Sequence, residues 1–170
     1  GVVAGNGSEA NSTDTSTAST SIGPTGNTIY ASDITIASQH NAYYHAHADS
    51  TNAALLGASG AFAEFAGNTS ATTTLPDNLT IMSTGVVAIS SQNNFYSLSG
   101  TNVNAAGGGG ITATAAKSTT TITGHSTVDM GSNLHISAVN EPETNKASIG
   151  IDAGSQVVSN DSVQLETGGA

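Results

Sequence analysis

The chain has 170 residues, of which 8% are charged and 4% aromatic, and its formal net charge at pH 7 is −10. Its two basic residues, Lys117 and Lys146, form no cationic surface for phosphate groups. This excludes nucleic-acid binding and disfavours attraction to an anionic membrane. Large apolar side chains are too few for one spherical core, so an elongated fold with a thin core is expected.

The chain repeats itself with a period of 53 residues. The segment 16–22 (STASTSI) reappears as 69–75 (TSATTTL), and the same offset carries Ile34 onto Val87 and Ile36 onto Ile89. A fixed period of this size marks a repeat architecture, in which each unit buries its apolar face against its neighbours. A scaffold, fibre or binding surface is therefore expected rather than a pocket with one chemistry.

A third copy follows at an offset of 47, which carries Leu75 onto Ile122, Val87 onto Leu134 and Ile89 onto Ile136. A shorter echo at a spacing of 29 lies within this copy and predicts that each long repeat contains two or three turns of a coil. We predict one repetitive domain over residues 1–170, with repeats of about 1–53, 54–106 and 107–170.

Four segments alternate apolar and polar residues with the period-2 pattern of half-buried strands. In chain order they are Asp33–Ser38, Gly85–Ser90, Asn133–Ala138 and Ser162–Thr167. Turn residues separate the strands at 23–24, 76–77, 131–132 and 160–161. Strands that recur with the same inward residues stack most simply as parallel rungs, which predicts an all-β parallel β-helix.

The segment Ala53–Gly67 has Leu55, Phe62 and Phe65 at near-helical spacing, but it contains three glycines. We expect it to be a strand because it aligns with the opening segment of the first repeat.

The stretch Tyr43–Asp49 (YYHAHAD) is the sharpest candidate for a metal site. On a strand, His45, His47 and Asp49 share one face and present donors suited to Zn²⁺ or Cu²⁺. The alternative is a half-buried strand whose Tyr44, Ala46 and Ala48 point into the core. We favour the alternative because the second repeat places Leu98, Gly100 and Asn102 in the equivalent stretch and so does not continue the three ligands, and we assign no metal-binding residue.

No catalytic or cofactor-binding residue is assigned either. The acidic residues are scattered, and neither an EF-hand loop nor a calcium-binding nonapeptide is present. Arginine is absent, as is a GxSxG nucleophile motif, so the chain is not expected to be an enzyme. Five N-x-S/T sequons, at Asn6, Asn11, Asn68, Asn78 and Asn160, are about as many as chance gives in a chain so rich in Ser and Thr.

The order of segments resembles the repeats of giant bacterial filamentous adhesins of the leukotoxin-family and filamentous-haemagglutinin-like kinds. The likeness is carried by the strand DITIAS, an Ala/Asn/Thr-rich run, the Gly-rich apolar LLGASGAF, and then SATTTL. The resemblance implies a right-handed β-helix on the cell surface, with a role in extracellular adhesion or fibre formation, and it brings no catalytic residues.

The sequence thus predicts a structural extracellular protein, either a β-solenoid segment of an adhesin or a subunit of a self-assembling surface filament. Its expected partners are copies of itself or the rest of a longer chain, with cell-surface glycans as further candidates. Two alternatives remain open. One is a pilus-like antiparallel β-sandwich that donates an N-terminal strand carrying Val2 and Val3. The other is a carbohydrate-binding or polysaccharide-processing β-helix.

Overall fold

The computed structural model describes residues 2–140 and 146–168, with the backbone alone at 99 and 100. Within these ranges the secondary structure is all strand, without a helix. The strands are β1 (Val3–Asp14), β2 (Thr17–Ser21), β3 (Thr28–Ala31), β4 (Ile34–Ala53), β5 (Leu56–Leu75), β6 (Thr80–Ser83), β7 (Val86–Gly108), β8 (Ile111–Met130), β9 (His135–Ala138), β10 (Ser148–Val158) and β11 (Ser162–Gly168).

The strands form three sheets. Sheet A contains β1, β2, β5 and β8, sheet B contains β3, β6 and β9, and sheet C contains β4, β7, β10 and β11. Each repeat supplies one level to every sheet, so one repeat is one coil: coil 1 spans 3–53, coil 2 spans 56–108 and coil 3 spans 111–168. All strand pairings in the described part of the chain are parallel.

This architecture confirms the predicted parallel β-helix, and the antiparallel sandwich is wrong. The strand expected to be donated to a neighbour instead pairs within its own chain, where Val3 lies beside Leu56. The segment with near-helical spacing is part of β5, as the strand assignment predicted. The longest strands of sheets A and C have 20 to 23 residues, whereas the strands of sheet B have four, so the coil is flattened.

Register between coils 1 and 2 confirms the 53-residue offset in sheet A and in sheet C as far as Tyr44, while the offset in sheet B is 52. Ile34 pairs with Val87, Ile36 with Ile89, and Thr17 with Ser70. The predicted register of coil 3 is wrong. Ile136 lies beside Ile81 in sheet B, and the neighbour of Ile89 in coil 3 is Ile151. The actual offset to coil 3 is 55 residues in sheets A and B, because coil 2 is longer than coil 1, and 60 to 62 residues in sheet C.

The extra length of coil 2 lies in a bulge of β7. The pairing moves from Tyr44 opposite Ser97 directly to His45 opposite Gly100. A bulge adds residues to one strand while the ladder continues on either side of it. The predicted division of each repeat into two or three turns is a separate matter. Because one coil takes a whole repeat, the sequence match at a spacing of 29 does not mark a smaller structural module and reflects the low-complexity sequence.

The interior is layered along the length of the strands. An apolar cluster beside sheet B contains Ile34, Ile36, Leu75, Leu79, Ile81, Val87 and Ile89, with Ile136 packed against it. An aromatic cluster follows, in which Phe65 stacks on Tyr44 with ring centroids 4.2 Å apart. The layer at the far end is built mainly of alanine. Ile36, Ile89 and Ile136 thus share one interior, although the third belongs to another sheet.

Hydrogen bonds between coils hold the turns in register. Asp77 Oδ1 accepts from the backbone N–H of Ser132 at 2.6 Å, and Asn133 Nδ2 donates to Asn78 Oδ1 at 3.2 Å. Asn78 and Asn133 both have positive φ, near +55°, which asparagine tolerates better than most residues. The predicted turn residues therefore also link successive coils.

Candidate functional site at the two open ends

The strands of coil 2 have a partner on both sides, whereas each strand of coils 1 and 3 pairs on one side only within the described chain. The outer edges of these two coils therefore present rows of backbone N–H and C=O groups to solvent. Such edges readily pair with another strand, and natural proteins usually blunt or cover them. The side chains that point into the coil at each edge differ sharply between the two ends.

At the C-terminal end, apolar side chains on inward positions are about half exposed. Relative exposure runs from 46% to 53% for Ile149, Ile151, Val157, Val163 and Leu165. Their register partners in coil 2 are no more than 2% exposed, namely Val87, Ile89, Phe95, Val103 and Ala105. Over the described residues, the apolar columns of sheet C thus run from coil 1 to coil 3 and end there uncovered.

At the N-terminal end, the inward positions of β1 and β2 carry small or polar side chains that are half-buried. They include Ser8, Ala10, Ser12, Asp14, Ala18 and Thr20. The larger apolar side chains of the same coil are more buried than those of the C-terminal end: Ile34 and Ile36 on β4 are 7% and 5% exposed, and Ile22 and Ile29 are partly buried against the apolar cluster. Asn52 closes the far part of this end, because its amide donates to the carbonyls of Ala4 and Ala58, each at 2.8 Å.

A polar network around His40 closes the middle of the N-terminal end. His40 Nδ1 lies 2.9 Å from Asn93 Oδ1, and His40 Nε2 lies 2.6 Å from Ser16 Oγ. The Asn93 amide donates to the carbonyl of Thr69, which fixes its oxygen toward His40. Ser16 Oγ in turn donates to Asp14 Oδ1 at 2.5 Å.

Asp14 completes this network on the side of β1. His40 Nε2 lies 3.8 Å from Asp14 Oδ2. Burial acts to raise the pKa of Asp14, but the hydrogen bonds from Ser16 and the charge of His40 outweigh it and hold that pKa below its usual value.

The His45–His47–Asp49 stretch lies on the outer face of β4. His47 Nε2 is 2.8 Å from Asp49 Oδ2, and the imidazole rings of His45 and His47 are stacked with centroids 6.0 Å apart. The predicted inward positions of Tyr44, Ala46 and Ala48 are confirmed, with exposures of 2%, 4% and 1%. Among the described residues, no group of three His, Cys, Asp or Glu side chains is placed to hold a metal ion.

The predicted correspondence of this stretch with coil 2 needs correction. His45 lies opposite Gly100 and not Leu98, and His47 lies opposite Asn102, because the bulge shifts the register by two residues. The neighbouring strand therefore provides no further imidazole to this face. The predicted alignment differed by two residues but also placed no histidine there.

Sequence reasoning missed a groove on the outer face of sheet A, of about 230 Å³. It is lined by Glu9, Asn11, Phe62, Ala63, Glu64, Lys117 and Thr119. The 53-residue offset already placed Glu9 beside Phe62 and Asn11 beside Glu64. Lys117 could not be placed without the 55-residue offset of coil 3.

In comparisons with known proteins, no protein-family model, curated protein or solved structure matches this chain significantly. Over the residues that the structure describes, no helix has the length and apolar character needed to cross a membrane.

Proposed function

We propose that the chain is a structural module of an extracellular surface, whose solenoid column lengthens by end-to-end pairing of coils. The module is either a segment of a longer adhesin or a subunit of a filament. In both cases the C-terminal end is the place where the next coil is added. The resemblance to filamentous adhesin repeats agrees with this role.

The observation that carries the proposal is the row of half-exposed apolar side chains at inward positions of β10 and β11. Completing the burial of each such side chain is worth about 1 kcal/mol, half of the value for a fully buried Val, Leu or Ile. Five of them, together with an edge of unpaired backbone groups along sheet C, favour the addition of a further coil.

The register of sheet C supports one way for a second copy to stack on this end. If its first coil continues the ladder of sheet C, Ile34 of the second copy lies over Ile149 and Ile36 lies over Ile151. These pairs extend the columns that already run from Ile34 through Val87 to Ile149. The added strand stays parallel, so the column continues without a change of architecture.

The composition fits such a role. An absence of cysteine removes disulfide mispairing during export. The acidic surface keeps single copies apart at low ionic strength, and salt screens that repulsion over a Debye length of about 10 Å at 0.1 M. Assembly is therefore expected to strengthen as salt is added.

The test places charges in the apolar columns at the C-terminal end. In the double variant Ile151→Lys and Val163→Lys, two ammonium groups occupy inward positions that a stacked coil would desolvate. We expect the unaltered protein to form growing oligomers or fibres with rising concentration in sedimentation velocity and negative-stain images. The double variant should remain monomeric, with association weakened at least about a hundredfold.

Its matched control is Gln156→Lys with Gln164→Lys, which places two ammonium charges on the outer face of the same two strands and changes the net charge by the same amount. This control should assemble as the unaltered protein does. A chain that stays monomeric at high concentration and high salt would contradict the proposal, as would assembly that the inward lysines leave unchanged.

A further inference from the structure

The groove on the outer face of sheet A lies on the side of the column, midway across three coils. Two rows of register partners line it across the sheet. One row consists of Glu9, Phe62 and Lys117, and the other of Asn11, Glu64 and Thr119. Stacking at either end of the solenoid leaves this face uncovered. The groove therefore stays accessible in a filament or in a longer chain.

Phe62 forms an exposed aromatic surface in this groove. It is 44% exposed, although it lies at the centre of a three-stranded face. Its ring leans over Gly60, where an added Cβ would lie 3.3 Å from the ring carbon Cε2. The neighbouring column consists of Gly7, Gly60 and Ala115, so a shallow floor without large side chains borders the ring.

Polar groups surround the ring on both sides. The Asn11 amide donates to Glu9 Oε1 at 2.9 Å, and the Glu9 carboxylate, which lines the groove, has lone pairs left to accept further hydrogen bonds. Glu64 adds a second carboxylate, and Lys117 adds an ammonium donor. Carboxylates and an ammonium group make strong, charge-assisted hydrogen bonds to hydroxyl groups.

The charges determine which ligands fit. Two carboxylates and one ammonium give the groove a net negative charge within a chain of net charge −10. A sulfated or uronic-acid polymer would be repelled. A ligand with many hydroxyls and an apolar ring face suits both the ring and the carboxylates.

We propose that this groove binds a neutral oligosaccharide, with the C–H face of one pyranose ring packed on Phe62 and its hydroxyls bonded by the surrounding polar groups. A volume of 230 Å³ is smaller than the roughly 300 Å³ at which pockets for compact ligands begin. The groove thus holds about one ring, and neighbouring rings of the chain extend over the flat sheet. This assigns a ligand class to the adhesive role proposed above and depends on that role for its biological meaning.

The test measures binding of four neutral tetrasaccharides (cello-, malto-, xylo- and mannotetraose) by saturation-transfer NMR and calorimetry. Tetragalacturonate and tetralysine serve as charged probes. At least one neutral probe should bind, with an affinity that added salt leaves nearly unchanged. Phe62→Ala should weaken this binding at least about tenfold, and Glu64→Gln about threefold or more.

Tyr30→Ala is the matched control, since Tyr30 is a 70% exposed aromatic residue on sheet B. It should bind the sugar as the unaltered protein does, and thermal melts should show that all three variants are folded. Absence of binding by every neutral probe would overturn the proposal. So would binding that survives Phe62→Ala, or a preference for tetragalacturonate or for tetralysine.

Sedimentation of the same samples separates this proposal from that of end-to-end assembly. Phe62 lies away from both ends, so Phe62→Ala should assemble normally while losing sugar binding. Sugar binding by a chain that does not assemble would leave the groove proposal standing and contradict the assembly. Assembly without sugar binding would do the reverse.

Discussion

Ile89 and Ile151 are the same residue type at the same position of neighbouring coils, yet Ile89 is 1% exposed and Ile151 is 46% exposed. In the part of the chain that the structure describes, coil 2 has a coil on each side, whereas coil 3 has one on one side only. Burial in this molecule is thus set by a residue's place in the stack as much as by its chemistry. The stability of a coil comes largely from its neighbours.

The N-terminal end shows the opposite solution to the same physical problem. It also lacks a neighbouring coil within the described chain, but the inward positions of β1 and β2 carry small and polar side chains, of which Asp14 bonds to Ser16 and Thr20 donates to the carbonyl of Ala37. A polar end can face water at little cost, while an apolar end cannot. The two ends therefore differ in what they present to a neighbouring coil.

The most direct test of this comparison truncates Ile89 and Ile151 in separate variants. Ile89→Ala should lower the free energy of unfolding by about 2–5 kcal/mol, because it removes a fully buried side chain and leaves a cavity. Ile151→Ala should lower it by about 1 kcal/mol in the monomer, since the side chain is already half in water. Urea denaturation of both variants at low protein concentration and low salt measures the difference. Equal losses would contradict the half-exposed position of Ile151, because they would mean that its side chain is as well buried as that of Ile89.

A smaller effect on stability is expected at the turns, where aspartate side chains accept hydrogen bonds from the neighbouring coil. Hydrogen bonds from the backbone N–H and then the hydroxyl of Ser132 lower the pKa of Asp77. Burial acts to raise the pKa of Asp161, but hydrogen bonds led by the backbone N–H of Thr101 outweigh it and lower that pKa as well. A lowered folded-state pKa stabilises the fold above the unfolded value of about 4, and this contribution disappears as pH falls through the folded-state pKa.

We therefore expect the thermal midpoint of the unaltered protein to fall steadily between about pH 4 and pH 2. The double variant Asp77→Asn and Asp161→Asn should be less stable at pH 7 and lose less stability on acidification. Asp152→Asn, on the outer face of β10, is the control and should keep the acid response of the unaltered protein. Melting curves across this pH range measure the effect, and parallel curves for the double variant and the unaltered protein would refute it.

The first two coils could be predicted from sequence because their residues match almost one for one. Asn41 and Asn94, or Tyr43 and Tyr96, allow one alignment, and the structure bonds the first pair and stacks the second with ring centroids 5.4 Å apart. The third coil could not be predicted in register. Runs of Thr, Ser and Ala match themselves at several offsets, so the best sequence match, at 47, misses the true offsets of 55 in sheets A and B and of 60 to 62 in sheet C.

The candidate sites were harder to predict for a related reason. The exposed apolar row follows from knowing which strands form the last coil, which depends on the register of coil 3. Sequence alone identified Val163 and Leu165 as inward residues, but it could not show that no strand covers them within the described chain. The groove around Phe62 joins residues of three coils, so each of its columns requires both offsets.

Diffraction from aligned fibres of the assembled protein tests the central claim most directly, because it reports how the strands lie in the assembly. If coils add end to end, all strands lie across the fibre and their spacing repeats along it. We predict a strong reflection at about 4.8 Å along the fibre axis. A reflection of that spacing at right angles to the fibre axis would show that the columns pack side by side, and would contradict growth from the C-terminal end.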